Sequence, residues 1–287
     1  MQQKIVLITG CSSGIGAALA EEFHRLGHIV YASARTSTAL SALTVLGVRG
    51  LSLDVTDAQS IVAAMARIKA EQGRLDVLVN NAGFGLFGAV ADLSAEDLRR
   101  QLDTNVVGPV QVLRAALPLM LPQRRACVVN IGSVAGITPT PFSGGYSASK
   151  AALHILSDAM RMELAPFGIH VLTVQPGSIL SRFGSNSMAN VALPADSIYG
   201  VLAKRIRARA GASQKGGMSA EVMAQMVAAA ALQDHPPAIL RIGPNSFRMP
   251  ALKRWWPVAW LDRKYSRMFA LERLAGGSRQ DTPQPPR

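Results

Sequence analysis

Short apolar, β-branched runs alternate along the chain with segments whose apolar positions recur at helical spacing. The runs at 4–8, 29–33, 50–53, 77–79, 127–131, 170–174 and 238–242 predict seven strands, because unbroken stretches of this kind suit strands buried on both faces. Ile15, Leu19, Phe23 and Leu26 share one side of a predicted helix that Gly27 stops. Asp57 and Ser94 are placed to cap two further helices. Alternation of strand and helix predicts an α/β fold: a parallel sheet with helices on both faces.

Two stretches break the rhythm, and no internal repeat is visible. Residues 178–217 carry scattered Gly, Ser and basic residues with no clear strand, which predicts a mobile lid over a binding site. Residues 245–287 follow the last strand and end in a Pro-rich stretch at 280–287, which predicts disorder there. The expected organisation is one domain over 1–287, with a core at about 4–243, the lid, and a basic, aromatic C-terminal extension.

Length adds that a chain of 287 residues buries a full core without staples. Its two cysteines, Cys11 and Cys127, are too few for a disulfide framework or a zinc site, so no metal is expected. The four apolar residues Ile5 to Ile8 are too short a run for a secretory signal and read as a first strand. No run approaches the roughly 18 apolar residues of a spanning helix. The expected location is the cytoplasm, with a peripheral position at the inner face of a membrane left open. The formal charge of +12 raises the question of nucleic acid. Between Arg241 and Arg287, however, ten Lys/Arg stand against three Asp/Glu, and Lys204, Arg205, Arg207 and Arg209 form a second cluster. No nucleic-acid motif accompanies this charge, so no nucleic-acid partner is expected and a solvated basic face is the simpler reading.

The chemistry begins at Gly10, Ser12, Ser13, Gly14, Ile15 and Gly16, directly after the first strand and opening the first helix. Glycines there permit a tight turn and let backbone N–H groups approach a pyrophosphate at the positive helix N-terminus. The spacing is G-x-x-x-G-x-G rather than G-x-G-x-x-G. At the end of the second strand, where an acid would read a ribose 2′-hydroxyl, the run Ser33-Ala-Arg35-Thr-Ser37 offers a guanidinium and hydroxyls but no carboxylate. That favours NADP(H) over NAD(H), a surface arginine without a ligand being the alternative. Asp54, next to Val55, is either an acceptor for an adenine amino group or a helix-entry residue.

Tyr146 and Lys150 stand four residues apart at the start of a predicted helix, which puts both side chains on one face. A phenol with a pKa near 10 is a poor acid–base catalyst at neutral pH; a nearby ammonium is expected to lower that pKa. Ser133, at the end of the fifth strand, is placed to donate to a developing alkoxide. Together with Asn80-Asn81-Ala82-Gly83, Asn105 and Pro176-Gly177, these residues resemble the short-chain dehydrogenase/reductase family over about residues 4–243. The resemblance implies a Rossmann-type doubly wound sheet of seven mainly parallel strands in the order 3-2-1-4-5-6-7. It implies Tyr146 as proton donor, Ser133 as the substrate-orienting hydroxyl, Lys150 as ribose ligand and pKa tuner, and Asn105 as support for a water-linked proton relay. Asn81, Ala82, Gly83, Pro176, Gly177 and Ile179 are implied to line the cofactor, and Ser181 to replace the threonine often found there. Pro109 has no N–H to return to the Asn105 carbonyl, which frees that carbonyl for the relay; an ordinary first-turn proline is the other reading.

The runs 9–14, 31–35 and 81–85 look most like the hydroxysteroid and retinol dehydrogenase branch, which implies a bulky apolar ketone or alcohol. Phe84, Leu86, Phe87, Phe142 and Phe183 are candidates for an apolar wall, or equally for core. Trp255, Trp256 and Trp260 lie interleaved with basic residues, a pattern for a membrane interface or for a helix packed on the domain or a partner subunit. The resemblance implies a homodimer or homotetramer through helices near 105–121 and 151–164. Competing readings are a non-catalytic NADP(H)-binding sensor and a membrane-surface protein; the retained tyrosine and lysine weigh against the sensor.

Overall fold

The computed structural model describes residues 2–214 and 216–276; the expected disorder at 280–287 lies outside the described residues. Its strands are β1 Ile5–Ile8, β2 Ile29–Ala34, β3 Arg49–Ser52, β4 Val77–Asn80, β5 Ala126–Ile131, β6 Ile169–Pro176, β7 Ile179–Leu180, β8 Met218–Ser219 and β9 Ile239–Ile242. The helices are α1 Gly14–Arg25, α2 Ser41–Val45, α3 Ala58–Gln72, α4 Ala95–Leu102, α5 Gly108–Met120, α6 Gly144–Leu164, α7 Phe183–Ala189, α8 Ala203–Ala210, α9 Ala220–Ala231, α10 Arg248–Trp255, α11 Val258–Phe269 and α12 Arg273–Gly276. Seven strands form one sheet in the order β3-β2-β1-β4-β5-β6-β9, each neighbouring pair parallel. This is the Rossmann-like order that the resemblance implied, with strand ends displaced by one or two residues from the apolar runs.

Both sheet faces are covered. Val6 and Ile8 pack with Leu19 and Phe23 of α1 and Met223 and Val227 of α9. Their alternates Ile5 and Leu7 pack with Ile61 and Ile68 of α3 and Val112 and Met120 of α5. Strict side-chain alternation in β1 thus feeds two cores, which is why the run is apolar at every position. The expected caps hold: Asp57 accepts from the Gln59 N–H and Ser94 from the Asp97 N–H.

The helical run Ala95–Gln123 joins α4 and α5 without interruption and is long and apolar enough to cross a membrane by length and composition. Here it serves as a core helix, with Val112, Leu113, Ala116 and Met120 buried against the sheet.

The segment at 178–217, expected to hold no strand, contains β7, which pairs in parallel with β8. Two residues are too few to register as a period in the sequence. The C-terminal extension folds back: Phe269 and Ala270 bury themselves with Phe142, Leu202 and Ile206, flanked by Tyr199 and Tyr265. This answers one alternative left open above, since the extension packs on the domain and borders the cavity described next.

Candidate active site

The loop between β1 and α1 is built for close approach. Gly10 and Gly14 have φ of +74° and +63°, a region where a side chain is strained. A Cβ on Gly16 would overlap the Gly10 carbonyl and lie 2.5 Å from Asn81 Nδ2. Ser13 precedes α1 in extended conformation and makes no side-chain cap, so the first-turn N–H groups point at the cavity without an internal acceptor. The Asn81 amide donates to the carbonyls of Thr9 and Gly10, both at 2.9 Å. Thr9 Oγ1 in turn accepts from the N–H groups of Asn81 and Ala82 at 3.0 Å. Asn81 therefore braces the turn from behind, in addition to lining the cavity. Such a turn, aimed at a helix N-terminus at the carboxyl end of a parallel strand, fits a dinucleotide pyrophosphate.

At the end of β2, Arg35 is exposed at the cavity edge beside Ala34 and Thr36. Among the described residues the buried Ser33 hydroxyl has no hydrogen-bond partner, and Ser33 is not on the cavity wall. Asp54 also reaches the cavity, but one of its oxygens accepts from the N–H and hydroxyl of Thr56 at 2.9 and 2.7 Å. The helix-entry reading of Asp54 is thus realised, and its cavity position leaves the adenine reading in place.

Tyr146, Lys150 and His154 recur every four residues along α6 and are all buried. Tyr146 is walled by Phe87 and Phe183, with ring centroids 5.7 and 5.5 Å away. Burial pushes the phenol's pKa up, against the opposing pull of the Ser133 hydroxyl and the Arg209 charge. The expectation that Lys150 lowers that pKa is not realised in this state. The Lys150 ammonium instead donates to the Ile131 carbonyl at 2.7 Å, and burial pushes its own pKa down to about 8. One helical turn fixes a common face, but the long lysine stem carries its charge toward the end of β5 rather than onto the phenol.

Asn105 is buried and stands behind the cavity wall. Its Nδ2 donates to the Phe84 carbonyl and the Ser149 hydroxyl, both at 3.0 Å, and its Oδ1 accepts from the Phe84 N–H at 3.1 Å. The side chain ties the loop after β4 to α6, a positioning role. Asn105 sits in a widened π turn, Asp103–Val107, where the Gly108 N–H reaches back five residues to the Asp103 carbonyl. Pro109 lies just beyond this turn inside the continuous helix, so its missing N–H deprives the Asn105 carbonyl of its usual donor four residues ahead.

One cavity of about 1690 Å³ gathers these parts, more than the roughly 300–1,000 Å³ of a single-ligand pocket. It is lined by Ser133, Tyr146 and Lys150 and by every residue expected to line a cofactor, from Gly10 through Arg35, Asp54, Val55 and Asn81–Gly83 to Pro176, Gly177 and Ile179. Asn105 is the one expected site residue not on its surface. Ser181 is also on the wall. Of the candidate apolar wall, Phe84, Phe87 and Phe183 face the cavity, whereas Leu86 and Phe142 are core. Among the described residues no cluster could hold a metal ion.

Two residues escaped the sequence reading. His154 Nε2 accepts the Ser133 N–H at 3.3 Å, and burial, aided by the Lys150 charge, pushes its pKa down to about 4. The imidazole is therefore a neutral acceptor that fixes the backbone carrying Ser133; its spacing from Lys150 was the available signal. Arg209 of α8 points into the cavity, its guanidinium 5.1 Å from the Phe87 ring centroid. Counted only as one charge in a basic cluster, it gave no signal of its own.

Comparison with known proteins bears on the family and the fold. A family model described as short chain dehydrogenase matches residues 4–191. A 3-ketodihydrosphingosine reductase of Bacteroides thetaiotaomicron is 42% identical over 186 residues, 65% of this chain and 68% of that protein. An NADPH-dependent 1-acyldihydroxyacetone phosphate reductase of Schizosaccharomyces pombe is 38% identical over 202 residues, 69% of this chain and 68% of that one. A crystal structure of a short-chain dehydrogenase from Streptomyces avermitilis superposes with a TM-score of 0.78 at 32% identity, covering 96% of this chain and 99% of the other.

Proposed function

The chain belongs to the short-chain dehydrogenase family of oxidoreductases, and on that premise we propose that it is an NADP(H)-dependent reductase of a bulky apolar ketone. The observation that carries this reading is the single cavity in which the pyrophosphate turn and the group Ser133, Tyr146 and Lys150 meet.

NADPH, when bound, would supply the hydride chemistry. Tyr146 gives its phenolic proton to the carbonyl oxygen as charge develops there, and Ser133 donates a hydrogen bond to the same oxygen. Lys150 would hold the nicotinamide ribose, and its ammonium would bring positive charge to the group on turning from the Ile131 carbonyl. Asn105 and His154 hold the surrounding backbone. Gly10, Ser12, Ser13, Gly14, Ile15 and Gly16 would hold the pyrophosphate, Arg35 the 2′-phosphate, and Asp54 with Val55 the adenine. Phe84, Phe87 and Phe183 give the substrate an apolar wall, and two relatives named as reductases of 3-ketodihydrosphingosine and of 1-acyldihydroxyacetone phosphate support a ketone substrate. NADPH preference is supported by Arg35 and by the name of the yeast relative. Segment 178–217 acts as the lid of the one domain. Exposed Ile155 and Met162 on α6, with Val107 just before α5 and Phe167 just after α6, support self-association along these two helices.

A panel of alkyl and cyclic ketones, followed by nicotinamide absorbance with NADPH and NADH, tests the proposal. Oxidation of NADPH well above NADH is the expected result; no ketone-dependent oxidation of either would remove it.

A second reading rests on the outer surface of the C-terminal helices. Phe247, Trp255, Trp256 and Val258 are exposed beside Lys253, Arg254 and Arg263, while Met249, Leu252 and Met268 on the same helices line the cavity. An anionic bilayer suits such a surface and would deliver apolar substrate to the opening. Flotation with phosphatidylglycerol vesicles should recover the wild type and lose a Trp255→Ser, Trp256→Ser double variant; equal recovery ends this reading.

A further inference from the structure

The substrate half of the cavity contains a cation that the reaction described above does not require. Arg209 is the penultimate residue of α8, and its helix neighbours Lys204, Arg205 and Arg207 are exposed while it turns inward. Its Nε donates to Thr140 Oγ1 at 2.6 Å. Its guanidinium lies 5.1 Å from the Phe87 ring centroid, and Phe87 in turn packs on Tyr146, so the charge and the phenol share one aromatic neighbour. Among the described residues no carboxylate pairs with Arg209, and its terminal nitrogens make no hydrogen bond. The opposing groups it does feel are the phenols of Tyr146 and Tyr265.

A half-buried guanidinium on a cavity wall without a counter-ion is costly to fold around. Its planar fork offers several donors, here anchored at one nitrogen and open at the others, which matches a carboxylate or phosphate oxygen pair. Arg99, Arg100, Arg248 and Lys264 also line the cavity, as do the carboxylates Glu96 and Asp103.

We propose that Arg209 is the anion-binding residue of the substrate cavity, and that the substrate is an amphiphilic ketone carrying a carboxylate or phosphate a few bonds from the reacting carbon. The substrate class rests on the reductase reading; the anion site itself does not. Phe87 and Phe183 take the apolar part, and Arg209 sets which end of the molecule lies near Tyr146.

Calorimetric titration of the full chain with decyl phosphate, decanoate and decanol, each with NADP+ at saturation to occupy the pyrophosphate turn, tests the site. Wild type is expected to bind at least one anion about tenfold or more tightly than decanol, the scale of a charge-assisted hydrogen bond. Preference for decyl phosphate alone assigns a phosphate, and preference for both assigns any oxyanion group. Arg209→Gln should erase the preference, Arg209→Lys should keep part of it, and Arg205→Gln on the exposed face should leave it intact. Unchanged preference in Arg209→Gln, or equal binding of all three probes by wild type, overturns the site. Reduction of neutral 2-decanone by NADPH separates the two readings. A protein that reduces it without preferring anions keeps the reductase reading and loses this one; the reverse result keeps the anion site and loses the reductase.

Discussion

Lys150 offers the sharpest test of how burial acts at this site. Its ammonium is buried, bonded to one carbonyl, and pushed down from 10.5 to about 8. Below pH 8 both folded and unfolded chains carry the proton, and above 10.5 neither does. Between these values the unfolded chain binds a proton that the folded one has released, so this group makes stability rise with pH. At about 1.36 kcal/mol per pH unit, the full window is worth roughly 3 kcal/mol. Lys150→Met removes the titration while keeping much of the volume. Urea midpoints of the cofactor-free protein, taken from pH 7.5 to 10.5 at fixed ionic strength, should show the wild type gaining on the variant by that amount. Groups common to both proteins cancel in the difference. Saturating NADPH, whose phosphates bring negative charge into the cavity, should flatten the rise by holding the ammonium protonated. Parallel curves for the two cofactor-free proteins would refute the argument and return Lys150 to an ordinary lysine.

Other predictions follow from contacts around the cavity. Gly16→Ala forces a Cβ onto the Gly10 carbonyl, an overpacking of about 1–3 kcal/mol, and should weaken NADPH binding about tenfold or more by fluorescence titration while lowering the melting temperature. His154 is held at about 4 against an unfolded 6.5, so the unfolded chain takes up the proton first and stability falls as pH drops from 6.5 to 4. His154→Leu should lose that dependence in thermal melts at graded pH. The same variant leaves the Ser133 N–H without its acceptor, a cost of about 1–3 kcal/mol, and should lower turnover more than cofactor affinity.

The sheet was legible because each strand is a short apolar run bounded by a turn or helix signal, and because burial on both faces leaves little room for polar interruption. Its order came from the family resemblance rather than from any run. The cofactor half of the cavity was legible for a related reason: turn glycines and a helix N-terminus are local features, and every residue expected there faces the same space. What stayed hidden depends on contacts between distant segments. The direction of the Lys150 ammonium is decided by the Ile131 carbonyl at the end of β5, not by its spacing from Tyr146. Arg209 is indistinguishable in sequence from Arg205 and Arg207, and only the packing of α8 on Phe87 and Thr140 turns it inward. For Asn105 the resemblance implied support for a proton relay, but nothing local showed that its amide binds Phe84 and Ser149 behind the cavity wall. β7 exists only because β8, nearly forty residues later, lies beside it.

The most direct measurement of the proposed chemistry compares wild type with Tyr146→Phe for both NADPH affinity and ketone-dependent NADPH oxidation. Loss of the phenolic proton should cost at least about 100-fold in turnover while the dissociation constant stays nearly unchanged, since the pyrophosphate turn is untouched. Turnover surviving at the wild-type rate would contradict the role assigned to Tyr146.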